Sequence, residues 1–156
     1  MGQHRGFHQR AAGNTSLQPL TVRALMTPSP ATLAPHDLVL DAMRLMRERG
    51  IRHIPIVNAA GHLKGLVTET DILRTVFHGA MGFREPDAAT LDVTLPLEQV
   101  MSRDVATLKS GDPVERAVGL FLERKIRSAP ILDDAGKVEG IVTDMDLIRL
   151  LQHMMG

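Results

Sequence analysis

The chain of 156 residues contains no cysteine, no tryptophan and no tyrosine, and it has four phenylalanines. Without cysteine, a disulfide framework, a thiolate zinc site and a cysteine nucleophile are excluded. The scarcity of aromatic rings argues against a stacking platform for single-stranded nucleic acid. Eighteen Lys plus Arg residues balance 18 Asp plus Glu residues. The chain therefore lacks the positive surplus with which a sequence-independent nucleic-acid binder neutralises phosphates.

Long apolar runs are also missing from the sequence. No stretch approaches the ~20 residues that span a bilayer. Residues 1–20 carry His and Arg among Gly, Gln and Asn, without the apolar segment of a signal peptide. We therefore expect a cytoplasmic protein that binds neither a membrane nor nucleic acid. Its 44% hydrophobic and 23% charged residues are typical of a soluble globular domain.

An internal repeat is the most informative feature of the chain. A displacement of 75 residues aligns residues 26–74 with residues 101–149 without a gap, and 21 of the 49 aligned positions are identical. The identities include the Ala-Thr-Leu triplets at 31–33 and 106–108. An ungapped match of this length indicates a tandem duplication.

Each repeat has the same predicted order of elements. Asp37 and Asp112 are predicted helix N-caps, apolar residues follow at helical spacing, and Gly50 is a predicted C-cap. Two short apolar runs separated by turn residues predict a hairpin, and a second helix begins near Thr68 or Thr143. A unit of about 55 residues buries little apolar surface alone, so we expect two β-α-β-β-α repeats that face each other across a pseudo-twofold axis and share one core.

These patterns predict an α/β (α+β) fold, and they divide the chain into four segments. The segments are a polar leader at 1–21, a first repeat at 22–77, a linker at 78–96 and a second repeat at 97–152.

The repeat resembles a cystathionine-β-synthase (CBS) domain, and the pair resembles a Bateman module of two such domains. The resemblance covers both repeats. It rests on Ile-Arg-His-Ile-Pro-Ile-Val at 51–57, Ile-Arg-Ser-Ala-Pro-Ile-Leu at 126–132, Gly-Leu-Val-Thr-Glu-Thr-Asp-Ile at 65–72 and Gly-Ile-Val-Thr-Asp-Met-Asp-Leu at 140–147.

A Thr-x-x-Asp motif opens the second helix of each repeat, at Thr68/Asp71 and at Thr143/Asp146. The spacing is typical of a capping box, in which the two side chains bond the first backbone amides of the helix. A helix N-terminus also attracts phosphate, and a carboxylate there can accept ribose hydroxyls. The resemblance implies that these Thr and Asp residues bind ribose. Both repeats keep the pair, so both clefts are candidate sites.

A second motif precedes the proline-containing strands, as Arg52-His53 and as Arg127-Ser128. These residues are either solvated strand-edge groups or a grip for phosphate. The resemblance implies phosphate contact here. It also implies that adenine packs against the other repeat, at the short segment 31–33 or 106–108 and at the strand start. Those adenine contacts are Ala31 and Ile51 in one cleft, and Ala106 and Ile126 in the other. Because one motif has His and the other Ser, we expect unequal clefts.

Catalytic and metal-binding patterns are absent from the sequence. It contains no Gly-x-Ser-x-Gly, no P-loop, no dinucleotide-binding glycine motif and no set of zinc ligands. We therefore expect no enzymatic activity, no metal and no required cofactor. The resemblance implies a regulatory module that binds AMP, ADP, ATP or S-adenosylmethionine, forms a homodimer and passes the change to an effector protein. The alternative is a dimerisation or interaction module that works without a nucleotide.

Overall fold

A computed structural model describes residues 20–81 and 93–156. Its helices are α1 (Val39–Arg49), α2 (Glu69–Met81), α3 (Val114–Arg124) and α4 (Asp144–Met155), and its strands are β1 (Thr27–Pro28), β2 (His53–Val57), β3 (Leu63–Thr68), β4 (Ser128–Leu132) and β5 (Val138–Thr143). A short 3-10 turn lies near the start of each repeat, at Val22–Ala24 and at Leu97–Gln99. The order helix, strand, strand, helix occurs twice, which confirms the predicted α+β fold class.

The two repeats pair their strands in the same register. β2 and β3 form an antiparallel hairpin in which His53 lies opposite Thr68. β4 and β5 form the equivalent hairpin, with Ser128 opposite Thr143. These pairs are related by the 75-residue displacement found in the sequence.

The segment before the first helix of each repeat, residues 22–33 or 97–108 and here called the lead-in, crosses to the hairpin of the other repeat. β1, in the first repeat, pairs with β5 of the second, and Thr27 lies opposite Ile141. In the same way Ser102, in the second repeat, bridges Leu66 of the first. Each contact in one half is thus matched by a contact 75 residues away in the other half, which confirms the pseudo-twofold relation.

The hydrophobic interior consists of two clusters, so the expectation of one shared core was wrong. The cluster around the first hairpin includes Leu97 and Met101 of the second repeat. The cluster around the second hairpin includes Val22 of the first repeat, which is fully buried. Each hairpin and its helices leave an apolar side that the lead-in of the other repeat covers. The two repeats are therefore linked by these exchanged segments and not by a common hydrophobic core.

The starts of α1 and α3 differ by one residue from the predicted positions. The N-caps are Leu38 and Pro113, not Asp37 and Asp112. The two aspartates close the preceding turn instead, because Asp37 Oδ2 accepts the Ala34 amide at 2.7 Å and Asp112 Oδ2 accepts the Lys109 amide at 2.8 Å. Gly50 is the C-cap of α1 with a φ of 62°, as predicted.

Parts of the predicted leader and linker pair with the repeats. The Val114 amide donates to the Leu20 carbonyl at 3.0 Å, and the Val39 amide donates to the Leu95 carbonyl at 2.9 Å. The remainder of these two segments, residues 1–19 and 82–92, lies outside the described residues.

Candidate functional site

A cleft of about 860 Å³ opens where the lead-in of the first repeat meets the hairpin and helix α4 of the second. Its sides come from both repeats because β1 pairs with β5 across the pseudo-twofold. The residues around it are Thr27, Pro28, Ser29, Pro30, Ala31, Arg49, Gly50, Ile51, Arg52, His53, Thr68, Glu69, Thr70, Arg127, Ile141, Thr143, Asp144, Met145, Asp146 and Arg149.

One part of the cleft is apolar. Its lining includes Pro28, Pro30 and Ala31 of the lead-in, together with Ile51 before β2 and Ile141 on β5. Small and branched apolar side chains with few polar atoms suit a flat heterocycle, which buries two apolar faces. Pro28 and Pro30 have no amide to leave unpaired at this surface.

Thr143 and Asp146 form a capping box at the start of α4, on the wall of the cleft. Asp146 Oδ2 accepts the Thr143 amide at 2.8 Å, and the Thr143 hydroxyl lies 3.3 Å from the same oxygen. The other carboxylate oxygen, Oδ1, lies 3.5 Å from Arg149 Nη1. Because that arginine is largely exposed, the ion pair is weak in solvent. Asp146 Oδ1 can therefore accept hydrogen bonds from a ligand while Oδ2 holds the helix cap.

Several groups in the cleft favour an anion. The first residues of α2 and α4 both line it, and the positive ends of both helix dipoles therefore face it. Arg52 pairs with Glu69 at 3.5 Å, with both side chains well exposed. Arg127 makes no ion pair within residues 20–81 and 93–156. Its guanidinium is free to bind an oxyanion in the forked geometry that carboxylates and phosphates accept.

His53 lies between these charges and contacts the other repeat. Its Nδ1 is 2.9 Å from the hydroxyl of Ser128. Burial is the main cause that lowers the pKa of His53 from its ordinary 6.5, and the nearby Arg127 and Arg52 lower it further. Asp144 and Asp71 act in the opposite direction. The ring is therefore mainly neutral near neutral pH.

The structure brings together most of the residues predicted from the sequence. Eight of the twelve line this one cleft: Ala31, Ile51, Arg52, His53, Thr68, Arg127, Thr143 and Asp146. The sequence divided the two arginine-containing motifs between different clefts, whereas Arg52 and Arg127 meet in the same one. These two equivalent arginines can line the same cleft because the strands that follow them, β2 and β4, both start next to the pseudo-twofold axis.

The other four predicted residues lie outside the lining of this cleft. Ser128 is 5% exposed beneath His53. Asp71 accepts the Thr68 amide at 2.9 Å and caps α2. Ala106 and Ile126 are the pseudo-twofold equivalents of Ala31 and Ile51, so they belong to the other half of the molecule.

Several lining residues were missed from the sequence. They are Thr27, Pro28, Ser29, Pro30, Arg49, Gly50, Glu69, Thr70, Ile141, Asp144, Met145 and Arg149. The segment 27–30 carries no periodic pattern, and its place follows from the exchange between repeats. A proline at positions 28 and 30 was the available signal, since it indicates an extended segment with few backbone donors.

Membrane-spanning helices and metal-ligand clusters are both absent from the described ranges. No helix there is long and apolar enough to span a bilayer. No group of three or more His, Asp or Glu side chains there is arranged to hold a metal ion.

The fold and the cleft define an α+β protein of two repeats with exchanged lead-ins. The CBS domain profile matches residues 22–78 and again residues 97–153. The chain therefore belongs to the CBS domain family, which confirms the resemblance found in the sequence.

Solved structures of CBS domain pairs are similar over nearly their whole length. The pair of protein MJ0100, in complex with methylthioadenosine and S-adenosyl-L-methionine, superposes with a TM-score of 0.75 at 25% identity, over 87% of this chain and 98% of that chain. CBSX2 in complex with AMP superposes with a TM-score of 0.72 at 25% identity, again over 87% and 98%.

Curated relatives contain a similar segment within longer proteins. Homoserine O-acetyltransferase of Methanocorpusculum labreanum is 31% identical over 131 residues, which are 84% of this chain and 24% of the relative. L-aspartate semialdehyde sulfurtransferase of Methanocaldococcus jannaschii is 27% identical over 142 residues, 90% of this chain and 25% of the relative. The chain thus spans about a quarter of the length of these relatives.

Proposed function

We propose that this protein is a non-catalytic regulatory module that binds an adenosine-containing ligand in the cleft between its repeats. One observation carries the proposal: apolar side chains, the Asp146 carboxylate with its exposed arginine partner, and an Arg127 that is unpaired in the described residues all line one cleft beside two helix N-termini. These groups suit the base, the ribose and the phosphate of an adenosine nucleotide. AMP, ADP, ATP and S-adenosylmethionine all contain the first two parts.

In this arrangement the base packs against Ala31 and Ile51. The ribose hydroxyls donate to Asp146 Oδ1, beside Thr143. A phosphate accepts from Arg127 and His53, near the positive ends of α2 and α4. The structures of related pairs with AMP and with S-adenosyl-L-methionine support this class of ligand.

A ligand that touches both repeats can shift their relative arrangement by its difference in affinity for the two arrangements. Transmission of that shift to an effector protein is part of the proposal. Catalysis is not part of the proposal: the one hydroxyl bonded to His53 in the described residues, that of Ser128, is 5% exposed and lies outside the lining of the cleft. We also propose a cytoplasmic location.

A second candidate function is an interaction module that works without a nucleotide. The observation that favours it is helix α4, none of whose residues is buried. Its exposed apolar side chains include Ile148, Leu151, Met154 and Met155. A row of apolar side chains at helical spacing on a surface is typical of a protein interface. Both functions are compatible with a homodimer, which we propose forms through α4.

Thermal unfolding with AMP, ADP, ATP and S-adenosylmethionine tests the first function. A ligand at about 100 times its dissociation constant adds about 2.7 kcal/mol to the free energy of unfolding. For a domain of this size the unfolding temperature rises by about 5–10 °C. Because tryptophan and tyrosine are absent, unfolding is followed by circular dichroism or an external dye.

The variant Asp146→Ala separates ligand binding from helix capping when it is compared with Asp41→Ala. Asp41 Oδ2 accepts the Leu38 amide at 2.8 Å at the start of α1, the same capping contact that Asp146 makes, and Asp41 does not line the cleft. Each variant loses about 1 kcal/mol of stability with its cap. The ligand-induced rise should shrink in Asp146→Ala and persist in Asp41→Ala. No rise with any of the four ligands would favour the interaction module instead.

A further inference from the structure

His53 and Ser128 occupy equivalent positions in the two repeats, 75 residues apart. Their side chains nevertheless touch, with Nδ1 2.9 Å from Oγ. Equivalent positions can meet only where the pseudo-twofold axis passes between them. A single imidazole therefore lies at the axis, where the symmetry of the repeats is broken by a histidine facing a serine.

The hydrogen bond to Ser128 leaves Nε2 as the available ring nitrogen. Within the described part of the chain, Nε2 has no hydrogen-bond partner. The serine hydroxyl donates to Nδ1 when the ring is neutral with its proton on Nε2, and it accepts from Nδ1 when the ring is protonated. In both states Nε2–H can donate to an anion in the cleft, and Ser128 stays paired.

Charged groups face His53 from four sides. Arg52 immediately precedes β2, which begins at His53, and Arg127 immediately precedes β4. Asp144 begins α4, and Asp71 lies in the first turn of α2. Burial and the two arginines together favour the neutral ring over the imidazolium. A bound phosphate adds up to two negative charges next to this ring, which reverses that balance.

We propose that His53 is a proton-linked specificity residue that senses the ligand's phosphate: binding of a phosphate-bearing adenosyl ligand protonates its imidazole, whereas binding of an adenosyl ligand without phosphate does not. This inference rests on the proposed function of the cleft. Its consequence is that the contribution of His53 to the preference for AMP over methylthioadenosine grows towards mild acid.

The direction of the pH dependence follows from linkage. In the free protein the pKa of His53 lies below its ordinary 6.5, and a bound phosphate raises it. The complex therefore holds more protons than the free protein at any pH between these two values. Affinity for AMP rises as pH falls through the pKa of the complex, by at most about tenfold per pH unit, and levels off below the pKa of the free protein.

The experiment measures dissociation constants of AMP and of methylthioadenosine from about pH 5.5 to about pH 8. The full chain is compared with its His53→Gln variant, whose amide can donate from the position of Nε2 but does not titrate. The phosphate of AMP itself titrates near pH 6, and the ratio of the variant's constant to that of the parent chain cancels this contribution. We expect the ratio for AMP to grow at least about threefold towards acid and the ratio for methylthioadenosine to stay constant.

A ratio for AMP that does not change with pH, or one that changes equally for methylthioadenosine, overturns the inference while leaving the ligand assignment intact. Failure of both ligands to bind the parent chain overturns the proposed function as well. Proton uptake gives a second readout, and the His53→Gln variant again serves as the reference for the protons that AMP itself exchanges. Titration calorimetry near pH 7 in two buffers of different ionisation enthalpy should show uptake with AMP and none with methylthioadenosine. Equal values for both ligands contradict the inference.

Discussion

Lys125, at the C-terminal end of α3, adopts a left-handed backbone conformation with a φ of 53°. The equivalent position at the end of α1 is Gly50, with a φ of 62°. A side chain in this conformation places Cβ against the backbone and costs about 1 kcal/mol, whereas glycine does not meet this clash. The first repeat thus has at the end of α1 the residue that this conformation favours, and the second repeat lacks it at the end of α3.

Lys125→Gly should therefore raise the free energy of unfolding by about 1 kcal/mol. Equilibrium unfolding in urea measures the change. Lys125→Ala is the control, because it removes the same charge but keeps a Cβ in the left-handed region. An equal gain in both variants would show that the lysine charge, and not the backbone, limits stability here.

At the scale of elements, Gly65 on β3 and Gly140 on β5 are the points where the exchanged lead-ins approach most closely. A Cβ on Gly65 would lie 2.9 Å from the Ser102 carbonyl and against Met101, and a Cβ on Gly140 would lie 3.3 Å from the Thr27 carbonyl and against Met26. The identities Met26/Met101 and Gly65/Gly140 in the two repeats thus have one steric explanation.

Gly65→Ala and Gly140→Ala should each lower the free energy of unfolding by about 1–3 kcal/mol, because the added methyl group displaces the packed methionine and, at Gly65, also the Ser102 backbone. Gly119→Ala is the matched control. Gly119 lies within α3 with nothing within 4 Å of the added Cβ, and alanine there should stabilise the helix by about 0.5–1 kcal/mol. Denaturant unfolding of the three variants checks this order. A loss in Gly119→Ala equal to the other two would contradict the role of the lead-ins.

The sequence predicted these elements well because their periodicity is local. Apolar spacing located both helices and both strands of each hairpin, and Gly50 marked a helix end. The caps at Asp37 and Asp112 were displaced by one residue, since an aspartate that closes a turn resembles one that caps a helix. The exchange of lead-ins was missed because β1 contains two residues and has no period to detect.

For the molecule as a whole, α4 carries five of the ten exposed large hydrophobic side chains found among the described residues. Ile148 is 53% exposed, Leu151 is 57% exposed and Met154 is 73% exposed. A charge in this surface should oppose the homodimer that we propose. Leu151→Glu should halve the mass measured by sedimentation or light scattering at a concentration where the parent chain is dimeric.

Leu20→Glu is the control for this measurement, because it makes the same substitution at a leucine that is 42% exposed outside α4. Its mass should equal that of the parent chain. A dimer that persists in Leu151→Glu would exclude α4 as the dimer interface, and a monomeric parent chain would exclude the homodimer.

The sequence was sufficient to identify some residues of the candidate site but not the contacts between the two repeats. Thr143, Asp146 and Arg127 were identifiable because short motifs carry them in both repeats. The sequence did not reveal that Arg52 and Arg127 line the same cleft or that His53 contacts Ser128. Such contacts at the pseudo-twofold axis depend on how the two repeats face each other. The predicted division of the arginines between two clefts reflects that missing information.

Location of the bound ligand is the most direct test of the central claim. The amide spectrum of ¹⁵N-labelled protein is recorded during titration with AMP and, separately, with S-adenosylmethionine. We expect at least one ligand to shift the amides of Ala31, Ile51 and Asp146, while the amides of the hairpin turns at 58–61 and 133–136 stay in place. Shifts confined to those turns or to the exposed face of α4, or no shifts with either ligand, would contradict it.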